Sequence, residues 1–503
     1  MAAKSKTYER FIEKVKDISY LNQARSMLGW DQETYMPPGT VKDRAEQVSL
    51  LSGIVHERTT SKAMARMVTD LKKDKSLDED QKVNVREFAR DQKRASALPP
   101  KLVKELSQTE SFSYEAWQKA RDKKDFKVFE PWLKKTLELK MKVTECVGYQ
   151  DQPYDALLEE YEPLMLTKDV EKILTPFREK LVPLVAKVAR AAKEAKIDES
   201  FMIGDFNVES QRIFFTQIVK DMGYNFDRGR LDVTVHPFTM GEALDVRITT
   251  RYFPNDLRSG LFSCIHEAGH ALYEQGTLEK NHHTPMGTGA SLGIHESQSR
   301  IWENMVGRGR PFWEHYMPKM QKAFPSLNKV SLEDWYRAIN MVQPSFIRIE
   351  SDEVTYNLHI LLRFEIEKQM LNGKVSPSEV PAVWNELTEK YLGITPHDDL
   401  EGCLQDVHWS IGSVGYFPTY TLGNLLAAQL YYKAQKDLKD MEGDFARGDF
   451  KPFLGWLRRN IHVHGRKYMY LETCKRVTGK PLDEDNLIRY IKEKYGPLFG
   501  AKF

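Results

Sequence analysis

The sequence predicts a mainly α-helical protein with one small β-sheet. Three observations carry this. Long charged segments repeat their apolar residues near the helical period and hold few glycines. Only residues 225–253 alternate apolar and polar residues in the manner of strands. No Gly/Ser run, Pro-rich spacer, low-complexity block or fixed-period repeat divides the 503 residues, so one large body with helical subregions is expected.

Taken in order, residues 7–30 place Phe11, Val15, Ile18 and Leu21 on one helical face, and the segment stops at Met36-Pro-Pro-Gly-Thr40. Residues 40–75, 79–96, 99–121, 124–147 and 168–197 read as further helices with solvated, charged outer faces. In 225–253, Leu231, Val233 and Val235 alternate with polar residues, as do Val246, Ile248 and Thr250, so two or three short strands are expected. Helix resumes after Asn255 or Asp256, both good N-caps, and runs towards Gly276. A loop follows, and another helix begins near Gly293. The remainder is helical, broken at 372–380, at 393–399 and at the glycine- and aromatic-rich stretch 412–424. The segment 344–359, which holds Arg348 and Asp352, reads as helix. We expect one unit over 1–503: a helical part to about 225, a core over about 226–425, and a helical part over 426–503.

Bulk properties exclude several functions. The 74 basic and 72 acidic residues leave a net charge of +2, which gives no reason to expect nucleic acid or a charged membrane as partner. No apolar run approaches membrane-spanning length, and the N-terminal stretch has no apolar signal core. Four cysteines with no CxxC pair make no disulfide framework, so a reducing, cytoplasmic setting is expected.

The chemistry concentrates in Ser263–Gly276, SCIHEAGHALYEQG. His266 and His270 stand four apart and share a helix face, so both imidazoles can reach one ion. Glu267 lies one step round, close enough to serve as base to a metal-activated water without being a ligand. By chance such a pattern arises in at most about 0.05 of chains of this composition, so the flanks matter. These are apolar (Leu261, Phe262, Ile265, Ala268, Ala271, Leu272), which predicts a buried helix, and buried histidines on one face need a partner. Gly269 and Ala268 keep the helix slim, leaving room for an ion and substrate. A catalytic site needs a third ligand and an open position. A third histidine six residues on is excluded, because residue 276 is glycine. Glu296, on the next helix, is the leading candidate; Glu274, Glu279 and Glu303 compete with it. His295 beside it faces elsewhere and suits substrate binding or support of a ligand. Cys264 faces away from the histidines and reads as core.

Six motifs in order, HPF (236–238), DVRIT (245–249), HEAGH (266–270), HESQSR (295–300), IRIESD (347–352) and GCLQDVHW (402–409), resemble the motif string of the M32 metallocarboxypeptidases, the thermostable-carboxypeptidase family. WDQETYMPPG (30–39) resembles that family's opening signature, so the likeness spans nearly the whole chain. Ser351 departs from it, standing where the family has Ala. The resemblance implies a large two-lobed helical body with a deep groove, similar to the neurolysin and angiotensin-converting-enzyme architecture. It implies one divalent metal per subunit held by His266, His270 and Glu296, with zinc the default and cobalt possible, and Glu267 as base. It also implies homodimers that remove C-terminal residues from peptides with a free C-terminus.

Other groups follow from what that chemistry needs. The developing oxyanion needs donors, and His408 and Tyr420 are the candidates by similarity to related helical oligopeptidases; Tyr416 competes. A free carboxylate needs an arginine fork, for which Arg348, oriented by Asp352 one turn on, and Arg247 are candidates. The Arg247 strand offers an edge to which a peptide can add, and His236 lines the same wall. Two alternatives stand beside the carboxypeptidase: an endo-acting oligopeptidase of the same fold, and a non-catalytic peptide-binding protein with a vestigial metal site.

Overall fold

The computed structural model describes residues 6–503; the first five, part of the N-terminal stretch read above as lacking a signal, lie outside it. The described residues form twenty α-helices and a single three-stranded sheet. The strands are β1 (Leu231–Val233), β2 (Thr239–Glu242) and β3 (Asp245–Thr250). Their order is β1-β3-β2, with β1 parallel and β2 antiparallel to β3. β3 is therefore central, and both of its edges are taken. The expectation that a peptide adds beside Arg247 on β3 is corrected: β2 is the edge strand on the side that meets the His266 helix, through Thr239.

Two apolar clusters organise the helices. The larger runs through most of the chain and includes the sheet residues Val246 and Ile248. A smaller one is confined to the N-terminal helices, around Phe11, Val15, Met64, Val68, Leu71 and Phe88. The first helix, Lys6–Thr34, ends before Pro37-Pro38, as expected. The stretch 40–75 divides into Val41–Thr60 and Lys62–Leu71, because Ser61 leaves helical geometry and its hydroxyl accepts from the Met64 amide.

Two further readings are corrected near the site. Residues 344–355 are not helical: Arg348–Glu350 form a single 3₁₀ turn, and the helix starts at Tyr356. The cause is Asp352. Its carboxylate accepts from the backbone amides of Gln343, Val354 and Thr355, a local pattern that competes with helix. The irregular stretch at 412–424 ends at Phe417, where a 20-residue helix, Pro418–Asp437, opens with proline in its first turn. Tyr420 thus sits on a largely buried helix.

The helix that carries the HExxH residues, Arg258–Glu274, begins one residue after Leu257, and Asp256 accepts from the Arg258 amide at 2.7 Å. The return helix, Leu292–Arg300, is capped by Ser291, whose hydroxyl accepts from the Ile294 amide. A fully buried carboxylate, Glu162, also accepts from the Gly293 amide at the start of that helix. A seven-residue π-helix, Ile301–Gly307, follows directly.

Gly269 serves close packing and not ligand access, which corrects the expectation above. A Cβ there would lie 2.7 Å from the Gln298 carbonyl oxygen and 2.7 Å from the Ser299 Cα, on the return helix. On the opposite side, a Cβ at Gly423 of helix Pro418–Asp437 would lie 2.6 Å from the Glu296 Cβ. Two glycines thus let the return helix slide between its neighbours.

Candidate metal centre and active site

His266, His270 and Glu296 converge, with one ligand atom from each lying within 4.8 Å of the other two. Glu296 Oε2 is 3.7 Å from His266 Nε2 and 3.5 Å from His270 Nε2. The other ring nitrogens are occupied. His266 Nδ1 is 2.8 Å from Glu303 Oε2. His270 Nδ1 is 2.8 Å from His295 Nδ1, and His295 Nε2 is 2.7 Å from Glu274 Oε1. Each supporting bond leaves Nε2 as the free donor atom, aimed at the common point. Two imidazoles and a carboxylate, tautomers fixed from behind, fit a divalent metal with an open position.

Arg300, one turn after Glu296, donates to Glu296 Oε1 at 2.5 Å and to Glu303 Oε2 at 3.2 Å. Burial would raise the Glu296 carboxyl, but Arg300 and the two imidazoles outweigh it and hold it well below its ordinary value. Glu303 behaves alike and is held down to about 2. Burial pulls His270 down to about 3, which keeps it neutral, the form that binds a metal. The π-helix contributes here, because Glu303 lies on it and reaches back to His266.

Glu267 is buried beside this centre. The Thr239 hydroxyl, from β2, lies 2.6 Å from Glu267 Oε2 and 2.9 Å from the Glu267 carbonyl oxygen. Burial pushes its carboxyl above the ordinary value, against the opposing pull of His266 and the Thr239 hydroxyl.

A second cluster stands against the first. Arg348 is buried, and its Nη2 donates to Asp406 Oδ1 at 2.7 Å and its Nη1 to the Tyr356 hydroxyl at 2.9 Å. Arg363 donates to the other Asp406 oxygen, Oδ2, at 2.6 Å through Nε. Two guanidinium groups thus share one carboxylate, which leaves a net positive charge in a dry place. Arg348 lies 5.1 Å from the Tyr420 ring centre. His408 Nε2 is 3.4 Å from the Tyr420 hydroxyl, and burial lowers His408 to about 3 despite Asp406, so the imidazole is neutral. The clusters are joined: the Arg300 guanidinium stacks 4.3 Å from the Tyr356 ring centre while bonding Glu296.

The chain matches the family described as Carboxypeptidase Taq (M32) metallopeptidase over residues 10–495. It is 40% identical to thermostable carboxypeptidase 1 of Thermus thermophilus, covering 98% of this chain and 99% of that one. It is also 40% identical to carboxypeptidase 1 of Bacillus subtilis, with the same shares covered. The fold overlays the crystal structure of the M32 carboxypeptidase from Deinococcus radiodurans with a TM-score of 0.96 at 38% identity, covering 99% of this chain and 100% of that one. The chain belongs to the M32 metallopeptidase family. It is accordingly an enzyme, a metal-dependent carboxypeptidase, and the family favours this over the endo-acting and non-catalytic alternatives.

Within this M32 carboxypeptidase, the candidates fall into three groups. His266, His270 and Glu296 come together as the candidate ligand set, with Glu267 on the same helix as the two histidines and His295 behind His270. Arg348, His408 and Tyr420 form the second cluster, where Tyr416 also lies, its ring 5.3 Å from that of Tyr420. The third group stands outside both clusters: Asp352 and Arg247 are engaged elsewhere and His236 is exposed. Asp352 binds backbone amides instead of Arg348, whose partner is Asp406. Arg247 is held by both Asp245 oxygens and stacks 4.5 Å from the Trp30 ring centre. His236 is exposed in the connection between β1 and β2. Sequence reasoning missed Thr239, Arg300, Asp406 and Arg363. Arg300 was open to discovery, since it stands four residues after Glu296 on one helix face. Asp406 lies inside the quoted GCLQDVHW motif. Thr239 and Arg363 left no local signal.

Proposed function

We propose that this carboxypeptidase removes single C-terminal residues from peptides, using His266, His270 and Glu296 as metal ligands and Glu267 as general base. The observation that carries the reading is the convergence of the three ligand atoms beside a buried Glu267, with a buried arginine cluster against them. The metal, when bound, supplies Lewis acidity and lowers the pKa of water. With Oε2 held by Thr239, Glu267 takes the proton of the attacking water at Oε1 and passes it to the leaving amine. His408 and Tyr420 stabilise the charge that develops on the carbonyl oxygen. Arg348, locked by Asp406, reads the free carboxylate of the substrate. Zinc suits two imidazoles and a carboxylate, and cobalt shares those donors, so metal analysis of purified protein identifies it. Four free cysteines suit a reducing cytoplasm. Among the described residues, no helix is long and apolar enough to cross a membrane.

Blocking the peptide C-terminus as an amide tests the Arg348 role. The loss of a charge-assisted, desolvated pair should lower kcat/KM by about 10²-fold. Equal cleavage of free and amidated peptides would overturn it and favour the endo-acting alternative.

The homodimer belongs to the same reading, with the whole chain as one peptidase unit. Helix Val41–Thr60, none of whose residues is buried, leaves surface available to a second copy. Sedimentation equilibrium should return the mass of two chains of 58.4 kDa each; a mass of one chain at micromolar concentration would refute it.

A further inference from the structure

Glu367 takes no part in the chemistry above, and no motif of the sequence contains it. It is fully buried on helix Tyr356–Leu371. Its carboxylate collects three donors from two other elements. The Tyr154 hydroxyl donates to Oε2 at 2.7 Å, the Gly415 amide to Oε2 at 3.1 Å, and the Trp409 indole N–H to Oε1 at 2.9 Å. Trp409 follows His408, and Gly415 precedes Tyr416. One carboxylate therefore grips both ends of the connection between His408 and the helix that carries Tyr420.

That connection is a run of irregular turns, closed by its own bonds from the Ser410, Gly412 and Ser413 amides to the Val407, Trp409 and His408 carbonyls. It has no ladder of regular hydrogen bonds, and Gly412 and Gly415 adopt left-handed backbone at φ +71° and +92°. It leans on the last residues of helix Pro153–Leu158, where a Cβ at Gly415 would lie 2.8 Å from the Leu157 carbonyl carbon. The same helix face repeats the device one turn earlier, where Arg363 holds Asp406. Helix Tyr356–Leu371 is thus a template: its first residue, Tyr356, bonds Arg348, Arg363 bonds Asp406, and Glu367 sets the loop beyond His408. Burial pushes the Glu367 carboxyl up to about 7, against the three donors, which favour its charged form. A group held at such a cost needs a compensating role, and the loop supplies one.

We propose that Glu367 is a positioning residue: it fixes the His408–Tyr416 connection, and through it the placement of His408 and Tyr420, without touching substrate. The proposal rests on the reading that His408 and Tyr420 act on the developing oxyanion. Glu367→Gln keeps the shape but turns one acceptor into a donor facing Trp409 or Gly415, whose N–H groups cannot accept. We expect kcat to fall about 10- to 100-fold, the scale of a misplaced catalytic group, with KM within about twofold and one metal retained per chain. In a His408→Ala background the same change should cost less than its full 10- to 100-fold, because part of its effect passes through His408. Tyr154→Phe removes one donor alone and should give a smaller fall in kcat with the same unchanged KM; it carries the test if Glu367→Gln fails to fold. Wild-type kcat in the variant that folds, or a fully multiplicative loss in the His408→Ala background, would overturn the proposal. Wild-type kcat in His408→Ala alone would overturn the underlying reading of His408 and the proposal with it, a pattern distinct from the other two.

Discussion

Replacing Glu267 by Gln lowers kcat by about 10³-fold, the middle of the range a general acid–base group contributes, and leaves the metal in place. Glutamine has the same shape and still accepts the Thr239 hydroxyl, which lies 2.6 Å from Oε2 in the native site. What it lacks is a basic oxygen. The neighbouring Glu296, paired with Arg300 and with both imidazoles, is held too acidic to replace it. The loss should therefore fall on kcat and not on KM, since nothing that holds the peptide changes. The measurement is hydrolysis of a peptide with a free C-terminus, with metal content taken on the same sample. Undiminished turnover with bound metal would mean that another group, or the metal centre alone, removes the proton.

Replacing Glu296 by Ala should weaken metal binding by more than about 10²-fold, since loss of a supporting partner alone costs 10–100-fold. Activity should fall with the metal. The substitution also strands Arg300, which then faces a site with no carboxylate at 2.5 Å, although Glu303 at 3.2 Å and the Tyr356 ring remain. Stripping one partner from a buried ion pair destabilises by about 3–5 kcal/mol, so loss of fold and loss of ligand must be separated. Glu296→Gln keeps a hydrogen-bond acceptor for Arg300 and removes the charge, so it reports on the ligand with less strain on the helix. Thermal unfolding of both variants with and without excess metal makes the division. A wild-type metal content and rate in Glu296→Ala would remove Glu296 from the ligand set and reopen Glu303, which lies behind His266 at 2.8 Å.

Much of this was legible in the residues, for reasons that can be stated. Helix Lys6–Thr34 and the strands at 231–250 follow from periodicity, because one apolar face must be buried and its spacing reports the backbone. The spacing of His266 and His270 places both rings on one face whatever the rest of the fold does. Arg348 was found, but not its partner. Asp352 is nearer in sequence, and a helical reading puts it one turn away; the true partner, Asp406, comes from another element 58 residues on. Asp352 misled because its short carboxylate bonded its own backbone and broke the helix that the reading assumed. His295 could be assigned to either side of the metal until the return helix was oriented. Gly269 breaks the helix rule in plain view, but whether the space serves an ion or a neighbouring backbone depends on a helix that local sequence cannot place.

The pair of glycines on either side of the return helix bears on how readily the centre exchanges its metal. The return helix packs on Gly269 through Gln298 and Ser299 and on Gly423 through Glu296, whose Cβ fills the space a side chain at Gly423 would need. The Glu296 stem is packed against the backbone of helix Pro418–Asp437 at Gly423. The ordering of this ligand is thus completed when the chain folds and not when the ion arrives, so uptake loses less entropy. The reverse also holds. With the proposed ligand set, an ion that prefers a longer bond or a wider angle would meet a carboxylate packed against helix backbone, so a glycine that never meets the metal would bear on the selectivity of the centre.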